Sequence, residues 1–313
     1  SFRTTKHKHV IQSDQESFTV FCQCTDQESV KRLGISRNIN DAVSVSINGV
    51  RGNKISELVS QLPVQIFTPQ SSDILLGSPK LRRKYIDWCL FHVEHPFLIC
   101  SNSYTKLLKH NNALCRKHQV DYADPQRIYW TEHLAKYGET LTQFRNTMME
   151  RLIPLITSNL EHFLPEFCVE ISYYRGWEKG LDLIEALAKA SDRDYRNGYI
   201  SVGPHKADVR FKIDGKPAHE VLSRGQLRML VAALQLATTQ CLMSYTQKTC
   251  IFLLDDVGAE LDAAKREVFI DKLLESNTQL FVTAIEAHQL EFIDKYQNKK
   301  MFHVEHGQVR EES

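Results

Sequence analysis

The chain has 313 residues, enough for one large or two ordinary domains with an ample apolar core. It is 42% hydrophobic and 25% charged, an ordinary globular balance, and no apolar run approaches the roughly 20 residues of a membrane span. A formal net charge of +1 neither demands nor excludes nucleic acid, so any contact with DNA must come from local patches.

Eight cysteines are scattered without a C-x-x-C pair, and no signal peptide opens the chain. Reduced thiols in a cytoplasmic protein with no membrane contact are therefore expected. The first residue is Ser1 rather than methionine, which reads as a fragment.

In chain order, "SFTVFCQC" and "LPVQIFTP" read as strands, with a turn-rich "INGVRGNK" between them. Cys22 and Cys24 are two apart and share one strand face, a spacing for packing rather than metal ligation. At "SPKLRRKYIDWCLFHVE" the pattern turns helical, with Ser78 as N-cap and Pro79 in the first turn. Helical stretches follow through "YTKLLKHNNALCRKH" and a long segment opened by Asp124 and Pro125, which Pro154 is expected to kink or interrupt. Strands return at "FCVEISYY" and at "ADVRFKIDGKPAHEV", a hairpin turning at Asp214-Gly215. The last part alternates helix and strand, which predicts parallel βαβ units. "FHVEH" occurs twice, at 91–95 and 302–306, but in different contexts, so it is neither a repeat nor a zinc motif.

Chemistry concentrates late in the chain. In "VLSRGQLRML", Ser223 can cap a helix while Gly225 sits oddly in its first turn. An ordinary capped core helix fits, and so does a helix start whose free N–H groups face a phosphate. Next comes "CIFLLDDVGAELD": an apolar run expected to be a strand buried on both faces, ending in Asp255 and Asp256. Such a pair can be a cap or a turn. It also suits Mg²⁺, with Asp255 at the metal and Asp256 orienting or deprotonating an attacking water. Asp262 would start the next helix, ahead of the strand "TQLFVTAIE".

The order "LSRGQ", apolar helix, "IFLLDD", "ELD", apolar strand resembles the C-terminal half of an ABC-type ATPase head: signature loop, Walker B strand and D-loop. The words "GSPKLRRKYID", "LPEFCVEISYYRGWEKG" and "GPHKAD" extend the resemblance over essentially the whole chain, to the RecF family of recombination and replication-repair ATPases. That resemblance implies an α/β ATPase lobe from residues 1–75 and 201–313 and a helix-rich second lobe from 76–200. It implies ATP and Mg²⁺ as cofactors, with Asp255 and Asp256 catalytic and Asp255 and Gln70 at the metal. Ser223, Arg224, Gly225, Gln226 and Asp262 would join Gln70 at ATP, Ser223 and Gly225 meeting the γ-phosphate held by the opposite subunit of a dimer. Gln65 is the weaker alternative to Gln70.

The same resemblance implies roles in DNA repair, recombination, replication and the SOS response. It implies an ATP-driven homodimer at junctions of single- and double-stranded DNA that helps load recombinase with RecO and RecR. Lys80, Arg82, Arg83 and Lys84, with "RTTKHKH" near the N-terminus, could meet DNA phosphates or be solvated helix faces. His205 and Lys206 could brace a lobe or touch phosphate.

Three departures from the family pattern stand out. No G-x-x-x-x-G-K-[ST] occurs, so the P-loop is expected upstream of residue 1 and the chain as it stands is expected to turn over no ATP, where the intact family has a slow, DNA-stimulated ATPase. Asp256 stands where the wider superfamily has Glu. Thr283 and Ala284 occupy the place of the switch histidine. Two other classes share these motifs: a transporter's nucleotide-binding subunit, against which the 153 positions from Gln70 to Ser223 argue, and a non-catalytic DNA-binding scaffold.

Overall fold

The computed structural model describes residues 6–26, 29–116, 124–256 and 262–312. The chain opens with an antiparallel sheet of β1 (Ser17–Asp26), β2 (Ser29–Asn38), β3 (Val43–Ile47) and β4 (Val50–Arg51), in that order. Cys22 and Cys24 share a face of β1, their sulfurs 3.9 Å apart and both thiols free. After α1 (Ile55–Gln61), β5 (Val64–Phe67) enters a second, parallel sheet.

The middle of the chain is helical: α2 (Asp73–Leu76), α3 (Pro79–Val93), α4 (Phe97–Cys115) and α5 (Pro125–Phe163), then α6 (Leu183–Asn197) after strand β6 (Glu170–Tyr174). Pro79 occupies the first turn of α3, and the Asp124 carboxylate accepts from the Gln126 N–H at the start of α5. Of the two outcomes expected at Pro154, a kink or an interruption, interruption does not occur: α5 runs 39 residues through it. Buried Leu152 and Ile156 on either side anchor that turn in the core, offsetting the missing hydrogen bond.

β7 (Asp208–Ile213) and β8 (Lys216–Pro217) form the expected hairpin beside β6, with Asp214 and Gly215 at φ of 50° and 77° as a type I′ turn requires. After α7 (Ala218–Val221), α8 (Arg224–Thr246) runs through the centre of the molecule. Met229 to Leu234, Leu236 and Ala237 are each 0% exposed, so α8 is apolar around its whole circumference and is enclosed by α5, α3, the sheet and α9 (Ala263–Glu275). β9 (Ile251–Leu254) and β10 (Gln279–Val282) complete the parallel sheet in the order β10-β9-β5, and β11 (Met301–Glu305) pairs with β12 (Gln308–Glu312) in a terminal hairpin.

Register explains which face of the parallel sheet is buried. Phe67, Leu254 and Val282 align across the three strands, as do Gln65, Phe252 and Leu280. Phe269 of α9 packs on this face, 5.4 Å from Phe67 and 5.7 Å from Phe252 between ring centroids. The opposite row holds Ile66, Leu253 and Phe281, of which Ile66 is 41% and Phe281 52% exposed. β9 was expected to be covered on both faces; among the described residues only one face is closed.

Candidate functional site

Parallel strands deliver their following residues to one edge of a sheet, and that edge gathers the carboxylates. Asp255 directly follows β9, and its N–H donates to the Phe67 carbonyl at 3.0 Å, extending the β5–β9 ladder by one step. Gln70 lies in the 3₁₀ turn Pro69–Ser72 just after β5 and is exposed. Gln65 points the other way: it is buried, donating to the hydroxyls of Thr238 at 2.7 Å and Thr239 at 3.1 Å. Of the two glutamines, only Gln70 can reach a ligand at the strand ends.

Thr283, in the place of the switch histidine, was given no role from sequence. Its hydroxyl donates to Asp255 Oδ1 at 2.8 Å and accepts from the Asp256 N–H at 3.0 Å. The signal was available in the register, since Val282 pairs with Leu254 and the residue after β10 must meet the residue after β9. Asp256 itself has φ of 52°, the left-handed region that Asp tolerates better than most residues but at some cost. Its Oδ1 is buried and accepts no hydrogen bond from the described residues. Among the described residues this acceptor is left with capacity for a further donor.

The cation fit follows from the donor set. Among the described residues no group of three His, Cys, Asp or Glu could hold a metal. A hard cation that keeps its waters and phosphate ligands needs only one or two protein oxygens, and Asp255 and Gln70, which follow strands of the parallel sheet, are residues that could offer them. Asp262 caps α9, its carboxylate accepting from the Lys265 N–H at 2.9 Å. The remaining D-loop residues, Glu260 and Leu261, lie outside the described residues.

The start of α8 forms a second surface. Ser223 is its N-cap: the Gln226 N–H donates to Ser223 Oγ at 3.3 Å, and the Ser223 N–H donates to Gln226 Oε1 at 2.9 Å. Ser223, Arg224 and Gly225 are all exposed. A Cβ placed on Gly225 would meet nothing within 4 Å, so no packing inside the chain requires glycine there. Gln235, where α8 touches the Ile66 carbonyl of β5, is twelve residues further along, about 18 Å of helix. No hydrogen bond or ion pair between described residues joins this helix start to the carboxylate pair.

The basic cluster of α3 needs correcting. Arg82 is turned inward: Nε donates to Asp208 Oδ1 at 2.7 Å and Nη1 to the Gly77 carbonyl at 2.8 Å. Arg83 Nη1 donates to the Ala207 carbonyl at 2.6 Å. Both guanidinium groups grip the "GPHKAD" segment instead of standing in solvent, and Lys80 and Lys84 alone of the four are exposed. Lys84 and Gln70 line one cleft of about 350 Å³ along β5. Residues 1–5 of the N-terminal basic stretch lie outside the described residues.

"GPHKAD" is held from other sides too. Arg145 Nη1 donates to the Pro204 carbonyl at 2.7 Å while its other nitrogens bind Asp87 in a two-point fork, both at 2.8 Å. His205 Nε2 donates to the Ile200 carbonyl at 2.9 Å, so Nδ1 accepts from the Tyr104 hydroxyl at 2.7 Å. Burial, partly opposed by the Ile200 bond, pushes the His205 pKa down to about 4. A neutral, doubly bonded imidazole is a brace, and Lys206 lies over the Tyr199 ring at 5.1 Å.

A parallel sheet with a carboxylate pair at its strand ends, and a separate capped helix start preceding that pair in sequence, define an ATPase head of the ABC/SMC class. Solved structures have the same fold. The recombination mediator protein RecF bound to ATP, of the RecFOR pathway, superposes with a TM-score of 0.85 at 24% identity, covering 100% of this chain and 84% of that one. An Smc head bound to the C-winged helix domain of ScpA gives 0.53 at 13% identity, over 99% of this chain and 80% of the other.

In sequence, residues 1–310 match the RecF/RecN/SMC N terminal domain. The DNA replication and repair protein RecF of Pseudoalteromonas atlantica is 84% identical over 100% of this chain and 86% of its own length. That of Actinobacillus pleuropneumoniae serotype 3 is 38% identical over 99% and 86%. The chain belongs to the RecF family of DNA replication and repair proteins. Among the described residues no helix is long and apolar enough to cross a membrane.

Proposed function

We propose that the chain is the greater part of an ATP-driven DNA clamp, in which two copies sandwich ATP and its hydrolysis releases them. The observation that carries this reading is the open start of α8, where an exposed glycine has no packing role within its own chain. A helix N-terminus with free N–H groups and no Cβ is suited to a phosphate presented by another copy. The strand ends supply the other half: Asp255 and Gln70 would hold Mg²⁺, which would neutralise phosphate charge. Asp256 orients the attacking water, with Thr283 fixing its backbone and the neighbouring carboxylate. Ser223 keeps a hydroxyl proton to donate while its oxygen caps the helix.

In this reading residues 1–75 and 201–313 make the ATPase lobe and 76–200 a helix-rich second lobe. DNA junctions are the substrate surface, and RecO and RecR act with the clamp in loading recombinase. Family membership supports these assignments, and they stand apart from the geometry of the site.

The test uses a chain that carries G-x-x-x-x-G-K-[ST] ahead of residue 1. Asp256→Asn keeps the size and polarity of the side chain but removes the charge that draws a proton from water. It should bind ATP, lose turnover by at least about tenfold, and accumulate as an ATP-bound dimer. Gel filtration showing only monomers with ATP would remove Asp256 from this role.

A further inference from the structure

We propose that the meeting point of the end of α4 and the start of α5 is a stacking site for an unpaired base of single-stranded DNA. Four rings form a row there. His110 and Trp130 lie parallel, 4.8 Å apart and inclined by 5°. Tyr129 meets Trp130 edge-on at 5.2 Å, and His133 lies 4.0 Å beyond Tyr129. His110 is exposed and Tyr129 is 51% exposed. Three of the rings, His110, Tyr129 and Trp130, line a cavity of about 590 Å³ together with Ala113, Leu114 and Gln126.

The row is not needed to join the helices. Buried Asn111 already does that, donating to the Trp130 carbonyl at 3.1 Å and accepting from the Thr131 hydroxyl at 3.2 Å. An exposed stack left over from that work can extend onto another flat ring.

Charge selects the occupant. The 19 residues of α4 contain no Asp or Glu, and Lys106 and Lys109 stand exposed within one turn of His110. On α5, Glu132 lines a different cavity, beside Asp182 and Leu183, and the Asp124 carboxylate is occupied in capping. Flat aromatic rings beside cations, with no carboxylate among the described residues that line the cavity, suit a base and its flanking phosphates. Duplex bases are already stacked on their neighbours, so the site discriminates in favour of unpaired ones. The choice of DNA rests on the function proposed above, whereas the site needs neither ATP nor a second copy.

Trp130 reports on its own surroundings. The chain has three tryptophans, of which Trp177 is 2% exposed and Trp88 half-buried. Titration with an oligothymidine, without nucleotide, should quench fluorescence, and Trp130→Leu should abolish the quenching. An abasic strand of equal length should bind roughly 5- to 100-fold more weakly, and a blunt duplex should not quench. His110→Ala and Tyr129→Ala, both at exposed positions, should weaken binding in the same range. Should Trp130→Leu fail to fold, these two decide the matter. Lys106→Ser with Lys109→Ser should reduce the slope of log affinity against log salt by about 1.4.

Equal affinity for oligothymidine and the abasic strand would overturn the proposal. So would an absence of quenching, which would return the rings to helix packing or a protein contact. Ser223→Arg, which targets the ATP-dependent dimer, should leave the quenching intact, so failure of one reading does not mimic failure of the other.

Discussion

Gly225 separates two accounts of the start of α8. If the segment is only a capped core helix, alanine there should be harmless, because a Cβ meets nothing within 4 Å. Helix propensity alone favours alanine by up to about 1 kcal/mol. Gly225→Ala should therefore raise the melting temperature slightly. In a chain bearing a P-loop ahead of residue 1 it should also weaken ATP-dependent dimerisation, since the new methyl group stands where a phosphate approaches. A variant that melts higher and dimerises unchanged would deny the glycine any role at phosphate. Ser223, Asp255 and Asp256 were legible in sequence because a cap and a carboxylate pair are local patterns. Thr283 was not, since its meaning depends on which strand lies beside β9 and in what register.

At the scale of elements, two of the words that carry the family resemblance turn out to grip each other. "GSPKLRRKYID" supplies Arg82 and Arg83, and "GPHKAD" supplies Asp208 and the Ala207 carbonyl that they bind. In sequence the first reads as a basic helix face and the second as either a brace or a phosphate contact, and tertiary contact shows the two bound to each other. Pro154 leaves α5 continuous for a related reason: its local cost is real, but burial of the flanking turns outweighs it.

Two buried histidines, one of them in the clamp, make stability depend on pH. His205 and the buried His92 both have pKa values pushed down to about 4 by burial, from an ordinary 6.5. Between those values the unfolded chain takes protons that the folded chain refuses, so stability falls as pH drops from about 6.5 towards 4. Each histidine adds a slope of up to about 1.4 kcal/mol per pH unit. Urea unfolding should show a lower midpoint at pH 5 than at pH 7, and His205→Gln should shrink the difference. A midpoint unchanged between the two pH values would mean that these imidazoles reach solvent.

Over the whole molecule, strands from near the two ends of the chain share one sheet, with 183 residues between Phe67 and Ile251. The alternation of helix and strand in the last third announced the parallel pair β9–β10. The addition of β5 was less legible, because no local pattern records a partner so far along the chain. The carboxylate edge and the start of α8 are separate surfaces of one copy, and the proposed site is complete only when two copies meet. That is the central claim.

Sedimentation of a P-loop-bearing chain with and without ATP tests it most directly, comparing the wild type with Ser223→Arg. The arginine side chain obstructs the helix start, and its charge does not replace aligned N–H donors. The wild type should move from monomer to dimer on adding ATP. Ser223→Arg should bind ATP with nearly unchanged affinity and remain monomeric. A Ser223→Arg chain that melts about 1 kcal/mol less stable, as loss of a cap predicts, yet dimerises with ATP like the wild type would contradict the account.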